Sequence, residues 1–570
     1  MTHGRDLVAE LPWITHYPSN VPPHLKYPAE PVYWLLEEAA RRLPDRVACR
    51  HRRATLTYAE LLDRSRRMAS AMRTRGLKTG DRVALLMPNM TDYLVSLFGT
   101  WMAGGVVLPL NPLMVAEEVV ALLKVTGCRF VVALDVLLPL LGRQGEIRPD
   151  VVFVTTLKRG LPLWDRFLYK LVRWHRLGLF SRFVPEAAVD LQDAIESASV
   201  DFEPHRARPE DIANILPTGG TTGKPKAVVL THGNLLANAW QVRHWSGGRF
   251  GEDTILSCLP FFHSYGLMTC ALNGVATCAT LVLHHRFQAE KVLRLIEHTR
   301  PTLAPAVPAM LAAFNAVLAK RHYDVTSIRA VISGGGPLPT SVAAEFTKRS
   351  GAVVVEGYGL SEASPVTHAG PLDGKARPGT IGLPLPDTDA KIVDPETGLV
   401  VLPPGQVGEL IIRGPQVMAG YWNDPEATAA VLRDGWLFTG DLAICDADGF
   451  FKIVDRKKDL IITSGVNVYP TDVEHVLCTF DDIEDVAVIG VPDPVRGELV
   501  KAIVVLKAGR TFSRKAFDSF AREHLEVHKR PRVVTVVQGP LPRNGLGKLL
   551  RRVLRDTSGS EQANRTDEAA

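Results

Sequence analysis

Apolar residues along the chain recur with two periods that take turns. Over Trp34–Arg42 and again over Tyr58–Arg75 they fall three and four apart, which predicts helices with one buried face. Ala54–Thr57 between them reads as extended. The short apolar runs Val83–Met87 and Phe130–Leu134 read as strands, with a helix over Glu117–Val125 before the second. The stretch from Tyr93 to Ala116 carries no charge and is long enough to span a bilayer. Gly104, Gly105, Pro109, Asn111 and Pro112 interrupt it, so it is read as a buried helix up to Ala103 and a buried strand, Val106–Leu110. Alternating helix and strand periods predict α/β layering.

Further on, Ile212–Leu216 and Ala227–Leu230 are apolar runs on either side of a small-residue loop. A strand from Val331 runs into Ser333-Gly334-Gly335-Gly336-Pro337. Another, Val353–Val355, ends in Glu356-Gly357-Tyr358-Gly359-Leu360-Ser361-Glu362. Gly379 to Gly420 turns to short strands such as Ala390–Val393 and Glu409–Arg413, the pattern of a small β-subdomain. A strand at Phe450–Val454 precedes the charged cluster Asp455–Asp459. The remainder alternates again, with strands at Val486–Ile489 and Ala502–Leu506 and a helix over Arg514–His524. Residues 1–30 are proline-rich and expected to wrap the body, whereas 556–570 are polar and expected to be disordered.

Composition narrows the class. The 570 residues exceed one ordinary core, and 46% hydrophobic with 22% charged residues describes a globular protein of two or more domains. A net charge of +5 is mild for this length and implies no nucleic-acid partner. The seven cysteines form neither a C-x-x-C pair nor a zinc spacing, and are read as buried thiols in a reducing, cytoplasmic setting. Asp6, Glu10 and the lack of an apolar core argue against a signal peptide at the N-terminus. Residues 157–183 stand apart: Lys158, Arg159, Arg166, Lys170, Arg173, Arg176 and Arg182 interleave with six aromatic residues, opposed by Asp165 alone. Such a segment suits either an anionic membrane surface or a helical hairpin docking its aromatics on the body.

The loop between the two apolar runs reads Thr218-Gly219-Gly220-Thr221-Thr222-Gly223-Lys224-Pro225-Lys226. Glycines let backbone N–H groups converge on phosphate oxygens, the threonines add hydroxyls, and Lys224 and Lys226 add positive charge. A Walker A loop fails here. Thr218 stands where its first glycine belongs, and Pro225 stands where its metal-binding hydroxyl belongs.

The full string resembles the phosphate-binding signature of the AMP-forming adenylating enzymes, closest to bacterial long-chain fatty acyl-CoA ligases. Five further motifs keep the order of that superfamily. They are Leu259–Gly266 with His263, the Gly334–Gly336 loop, Glu356–Glu362, Gly435–Asp441, and Leu541–Arg551 with Lys548. Ala227 and Ser361 depart from the commoner Gly and Thr. The resemblance, covering residues 30–555, implies an α/β fold. It has a large N-terminal domain of layered α/β subdomains plus a small β-subdomain (1–454), a hinge (455–459), and a small mobile C-terminal α+β domain (460–555).

The resemblance also implies roles. Thr218 and Glu362 share a Mg2+ that bridges ATP phosphates. Gly219, Gly220, Thr221, Thr222, Gly223, Lys224 and Lys226 hold those phosphates. Gly334, Gly335, Gly336, Gly357, Tyr358, Gly359 and Ser361 receive the adenine side of the nucleotide. Asp441 takes the ribose hydroxyls, Arg456 contacts ribose or phosphate, and Lys458 is the pivot. His263 borders the acyl pocket and the nucleotide, and Lys548 neutralises charge in the adenylating step. The implied reaction activates a fatty acid with ATP to acyl-AMP and pyrophosphate, and then forms a thioester with CoA. Alternatives are a medium-chain or aryl-CoA ligase, an acyl-AMP ligase feeding a carrier protein, or an inactive acyl-binding or membrane-scaffold homologue. A homodimer and peripheral membrane contact through 157–183 remain open.

Overall fold

The first part of the uncharged stretch lies in the helix Thr91–Met102, every residue of which, Asp92 included, is buried. Its Trp101 indole N–H donates to the Ala213 carbonyl and to Asn214 Oδ1, each at 3.1 Å, which locks the helix against a neighbouring strand. The computed structural model of the chain describes residues 11–141, 149–157, 187–218, 226–247, 249–543 and 549–557. Among them, no helix is long and apolar enough to cross a membrane. The chain divides into two compact units, one of Met1–Asp389 with Arg413–Leu437, the other of Ala390–Ile412 with Phe438–Ala570.

In the first unit one sheet runs, in spatial order, Gly420–Tyr421, Lys226–Thr231, Ile212–Thr218, Val106–Pro109, Arg82–Leu86, Phe130–Leu134, Val151–Thr155 and Ala188–Asp190. From Ile212–Thr218 to Ala188–Asp190 neighbouring strands are parallel; the other pairings are antiparallel. The chain enters at Arg82–Leu86 and winds first to one side and then to the other. That reversal is where open α/β sheets bind ligands. Two further sheets, Thr254–Ser257 with Thr280–Leu283, Val47–His51 and Ala54–Thr57, and Ala330–Ser333 with Val353–Gly359, Val366–Ala369 and Leu383–Pro384, are bridged through Leu303, which pairs with both Ile255 and Ala330.

Helix starts follow local chemistry. Thr57 and Glu60 form a capping box ahead of Tyr58–Thr74, and Thr231 with Asn234 does the same for His232–Trp245. Of the proline-rich N-terminal stretch, residues 11–30 lie on the body as expected, and residues 1–10 lie outside the described residues. The Tyr17 hydroxyl donates to the Pro384 carbonyl at 2.5 Å, and the Tyr27 hydroxyl and Leu25 N–H donate to Asp387 at 2.9 and 2.8 Å.

The strands Gly408–Arg413, Trp436–Cys445 and Phe451–Arg456, all but Arg413, Trp436 and Leu437 in the second unit, pair as one sheet. Ile461–Thr463, Val466–Val468, Ile483–Asp493, Gly497–Leu506 and Val533–Val536 form another. The helices Pro470–Leu477 and Arg514–His524 bury Val473, Leu477, Phe517 and Ala521 against its Val486, Val488, Ala502 and Val504.

Three expectations need correcting. Val353–Gly359 continues through the glycine motif instead of ending before it: its first half pairs in parallel with Ala330–Ser333, its second half in antiparallel with Val366–Ala369. Asp455 and Arg456 lie within a strand and not beyond it, because they pair with Leu442 and Asp441 across the sheet. The cysteines are not all buried. Cys445 is half-buried and Cys478, just past the helix Pro470–Leu477, is exposed.

Candidate active site

The phosphate loop is carried on a β-hairpin. Ile212–Thr218 and Lys226–Thr231 pair in antiparallel fashion, with Thr218 opposite Lys226 as the last pair before the loop. The Thr218 hydroxyl donates to the Lys226 carbonyl at 3.0 Å, which turns its proton away and leaves its lone pairs for a cation. The loop residues Gly219, Gly220, Thr221, Thr222, Gly223 and Lys224 lie outside the described residues. Lys226 points its ammonium at the Tyr421 ring, 4.7 Å from the centroid. The Tyr421 hydroxyl in turn donates to Glu362 Oε1 at 2.8 Å. Burial and the Glu362 carboxylate push the Tyr421 phenol well above its ordinary range, so it stays a neutral donor. Lys226 and Glu362 are thus joined through one tyrosine that the sequence reading did not single out, and Thr218 is tied to the Lys226 backbone.

Glu362 sits in the short turn Ser361–Ala363, whose backbone is pinned by Met418 N–H donating to the Glu362 carbonyl at 2.8 Å. The Ser361 hydroxyl lies 3.2 Å from that of Ser264, which ties this turn to the His263 motif. His263 accepts through Nδ1 from the Tyr265 N–H at 3.2 Å. A second residue missed in the sequence, buried Asn89, follows the central strand Arg82–Leu86. Its amide donates to the Ser257 and Leu259 carbonyls at 3.1 and 2.7 Å and accepts from Phe261 N–H at 2.8 Å. The aromatic–histidine motif therefore hangs from the sheet's switch point. No sequence spacing links positions so far apart.

The glycines serve several masters. A Cβ on Gly334 would stand 2.9 Å from Cζ of Tyr265, whose hydroxyl holds the Ile332 carbonyl at 2.8 Å. At Gly357 it would meet Ile332, and at Gly359 the Pro365 carbonyl at 2.0 Å. Gly335 has a left-handed φ of 82°. Gly336 faces open space, which is what a flat base approaching the backbone requires. Tyr358 meets the buried His368 edge-on at 5.9 Å. Burial raises the neighbouring Glu356 carboxyl to about 7.

Asp441, Arg456 and Lys458 belong to the second unit. Asp441 and Arg456 face each other across paired strands and form an ion pair at 2.9 Å, with the Arg456 Nε–H off the line of a straight hydrogen bond. Beside them buried Glu409 accepts from Gly440 N–H at 3.1 Å and from Lys457 Nζ at 2.8 Å. Burial, then the Arg456 charge, lowers the Lys458 ammonium pKa. Lys548 lies outside the described residues. Its flanks are anchored: Arg543 pairs with Asp485 at 2.7 Å, Arg551 with Glu474 at 2.6 Å, and Arg555 with Asp459 at 2.9 Å.

Among the described residues no group of three or more His, Cys, Asp or Glu side chains is placed to hold a metal alone. The donors fit Mg2+ nonetheless, since that ion takes one or two protein oxygens and completes its shell with substrate phosphates and water. Tyr421 occupies Oε1 of Glu362, and no hydrogen bond from the described residues reaches Oε2.

Comparison with known proteins supplies the class. Residues 36–422 match the AMP-binding enzyme family and residues 472–548 match the AMP-binding enzyme C-terminal domain. The chain belongs to the AMP-binding enzyme family. It is similar to a long-chain-fatty-acid–CoA ligase of Bacillus subtilis (strain 168), 39% identical over 553 residues, covering 96% of this chain and 98% of the relative. It is also similar to a feruloyl-CoA synthase of Amycolatopsis sp, 35% identical over 523 residues, covering 91% and 97%. The crystal structure of ATP-bound MatB from Rhodopseudomonas palustris superposes with a TM-score of 0.79 at 30% identity, covering 92% of this chain and 99% of that one.

Proposed function

We propose that the protein is a fatty acid–CoA ligase acting on long chains. The fatty carboxylate attacks the α-phosphorus of ATP, an O–P bond forms, and pyrophosphate leaves. The CoA thiol then attacks the acyl carbon, a C–S bond forms, and the C–O bond breaks with its electron pair going to AMP while the thiol proton passes to solvent. The observation that carries this reading is the cluster at the foot of the phosphate loop, where Tyr421 touches both Lys226 and Glu362 and the Thr218 hydroxyl bonds the Lys226 backbone. The likeness to the Bacillus ligase over nearly the whole chain supports the long-chain substrate.

Each side chain has a stated task. Thr218 and Glu362 would hold Mg2+, which neutralises charge on the phosphates when bound. The loop from Gly219 to Lys224 cradles the outer phosphates by backbone N–H, threonine hydroxyls and Lys224, and Lys226 adds a second cation. Gly334–Gly336, Gly357, Tyr358, Gly359 and Ser361 receive the base, Asp441 takes the ribose hydroxyls, and Arg456 stands by ribose or phosphate. His263 walls the pocket between acyl chain and nucleotide. Lys548 neutralises charge on the forming acyl phosphate, and Lys458 is the pivot of residues 460–555. Replacing Lys548 by Ala should cut acyl-AMP formation by about 100-fold and largely spare thioester formation from supplied acyl-AMP. Equal loss in both half-reactions would remove that role.

Peripheral contact with anionic membranes through 157–183, a cytoplasmic site of action and assembly as a homodimer complete the proposal. The seven basic residues against one acidic in that segment support the first of these. The feruloyl-CoA synthase relative favours a second reading, an aryl-CoA ligase. Release of AMP and pyrophosphate is to be measured with acids from acetate to oleate and coumarate, with and without CoA. A CoA-dependent optimum at long aliphatic acids is expected. An optimum at coumarate would select the second reading, and AMP formation indifferent to CoA would point to a carrier protein as acceptor.

A further inference from the structure

Lys226 and Glu362 carry opposite charges and approach the same tyrosine, yet among the described residues neither makes an ion pair. A lysine and a carboxylate in a partly dry site attract one another strongly, so something keeps them apart. The ring of Tyr421 stands between them, with the ammonium over its face at 4.7 Å and the carboxylate on its hydroxyl at 2.8 Å.

The backbone around Tyr421 is fixed for this purpose from three sides. Gly420 and Tyr421 pair with Val229 and Val228 on the outer edge of the phosphate hairpin, and the Ala419 and Trp422 N–H groups donate to the Val229 and Ala227 carbonyls at 3.0 and 2.8 Å. The Tyr421 N–H itself donates to the Thr428 hydroxyl at 2.9 Å, and a Cβ on Gly420 would meet Thr428 at 2.9 Å. Met418 N–H holds the Glu362 carbonyl at 2.8 Å, and the Ser364 hydroxyl donates to the Gln416 carbonyl at 2.8 Å, so one short segment grips both hairpin and turn.

We infer that Tyr421 is a positioning residue that separates Lys226 from Glu362, reserving the carboxylate for a divalent cation and the ammonium for phosphate. This deepens the proposed function and rests on Glu362 being a ligand of the metal. Without the ring the two charges collapse into a mutual ion pair and both ligands lose their partner. With a phenyl ring the separation survives and only the hydrogen bond that aims Oε2 is lost.

The test uses the full chain without carboxylic acid or CoA, so nothing turns over. Binding of Mn2+–ATP is followed by electron paramagnetic resonance, with thermal unfolding as a check on each variant. Tyr421→Phe should weaken binding about threefold and Tyr421→Ala at least about tenfold. Adding Lys226→Met to Tyr421→Ala should tighten binding relative to Tyr421→Ala alone, because Glu362 is then released. Losses that simply add in the double variant, or a Tyr421→Ala protein that binds like the parent, would overturn the inference. Should Tyr421→Ala not fold, Tyr421→Leu, which keeps bulk without the ring's charge-facing surface, takes its place with the same expected outcomes. Glu362→Gln is measured alongside. If it leaves Mn2+–ATP affinity unchanged, the metal role of Glu362 fails first and the inference with it. If it abolishes binding while the Tyr421 variants behave like the parent, the inference alone fails.

Discussion

Glu356 shows how one buried carboxyl turns position into pH dependence. Burial raises it from 4.5 to about 7, so the folded chain keeps a proton that the unfolded chain releases. Its contribution to stability is therefore present below about pH 4.5 and is lost as pH rises through 7. Glu356→Gln removes the titration, and the variant should gain roughly 2–3 kcal/mol on the parent between about pH 5 and about pH 8, read from urea midpoints. A pH-independent difference would place the carboxyl in a wetter setting. Thiols behave in the complementary way: burial pushes Cys49, Cys128 and Cys270 up to about 12. Exposed Cys478 should thus be the first to react with iodoacetamide in the native chain, as peptide mapping would show. At this scale the sequence was partly legible. The motif residues Thr218, Glu362 and Asp441 stand in the stretches that announced them. What stayed hidden were contacts between stretches: Tyr265 behind Gly334, Tyr421 beside Glu362 and Asn89 under the His263 motif are remote in sequence from what they hold, and no spacing rule reaches them.

Elements were legible where their signals are local. Trp34–Arg42, Phe130–Leu134 and Arg514–His524 fall where the periodicity places them, and capping boxes at Thr57 and Thr231 explain two of the helix starts. The strand through Glu356-Gly357-Tyr358-Gly359 was not legible, because glycines read as a turn and only a change of pairing partner at mid-strand makes them a strand. Between elements the first unit is held by a buried polar network. The Gln241 amide donates to the Pro386 carbonyl at 2.7 Å, and the Gln416 amide donates to Thr388 at 2.7 Å. Asn238 donates to the Val366 carbonyl at 2.7 Å and accepts from its N–H at 3.1 Å. Such networks are costly when broken, since each orphaned group stays dry. Gln241→Leu should destabilise the protein by about 2–4 kcal/mol in urea unfolding, whereas a loss under about 1 kcal/mol would mean that water replaces the amide.

Across the whole molecule acid should act on the first unit before the chemistry fails. His51 and His368 are held neutral by burial down to about 3, and His232 and His285 down to about 4, against 6.5 for a free side chain. All four lie in the first unit. They bind protons when unfolded and not when folded, so their contribution to stability is intact above about pH 6.5 and is lost as pH falls toward 4, by up to about 1.4 kcal/mol per histidine per pH unit. Calorimetry at about pH 7.5, 6.5 and 5.5 should show the first unit's transition falling steeply over the lower interval; a flat profile would contradict burial of these rings. The two-unit organisation and the α/β class were legible from length and alternating periods, while the unit boundaries were not, since Ala390–Ile412 joins residues much later in the chain. The most direct test of the proposed chemistry follows oxygen. With a long-chain acid labelled by 18O in both carboxylate oxygens, Mg-ATP and CoA, one label should appear in AMP and the other in acyl-CoA, by mass spectrometry. Label in inorganic phosphate with ADP as product, or AMP free of label, would contradict attack of the carboxylate on the α-phosphate.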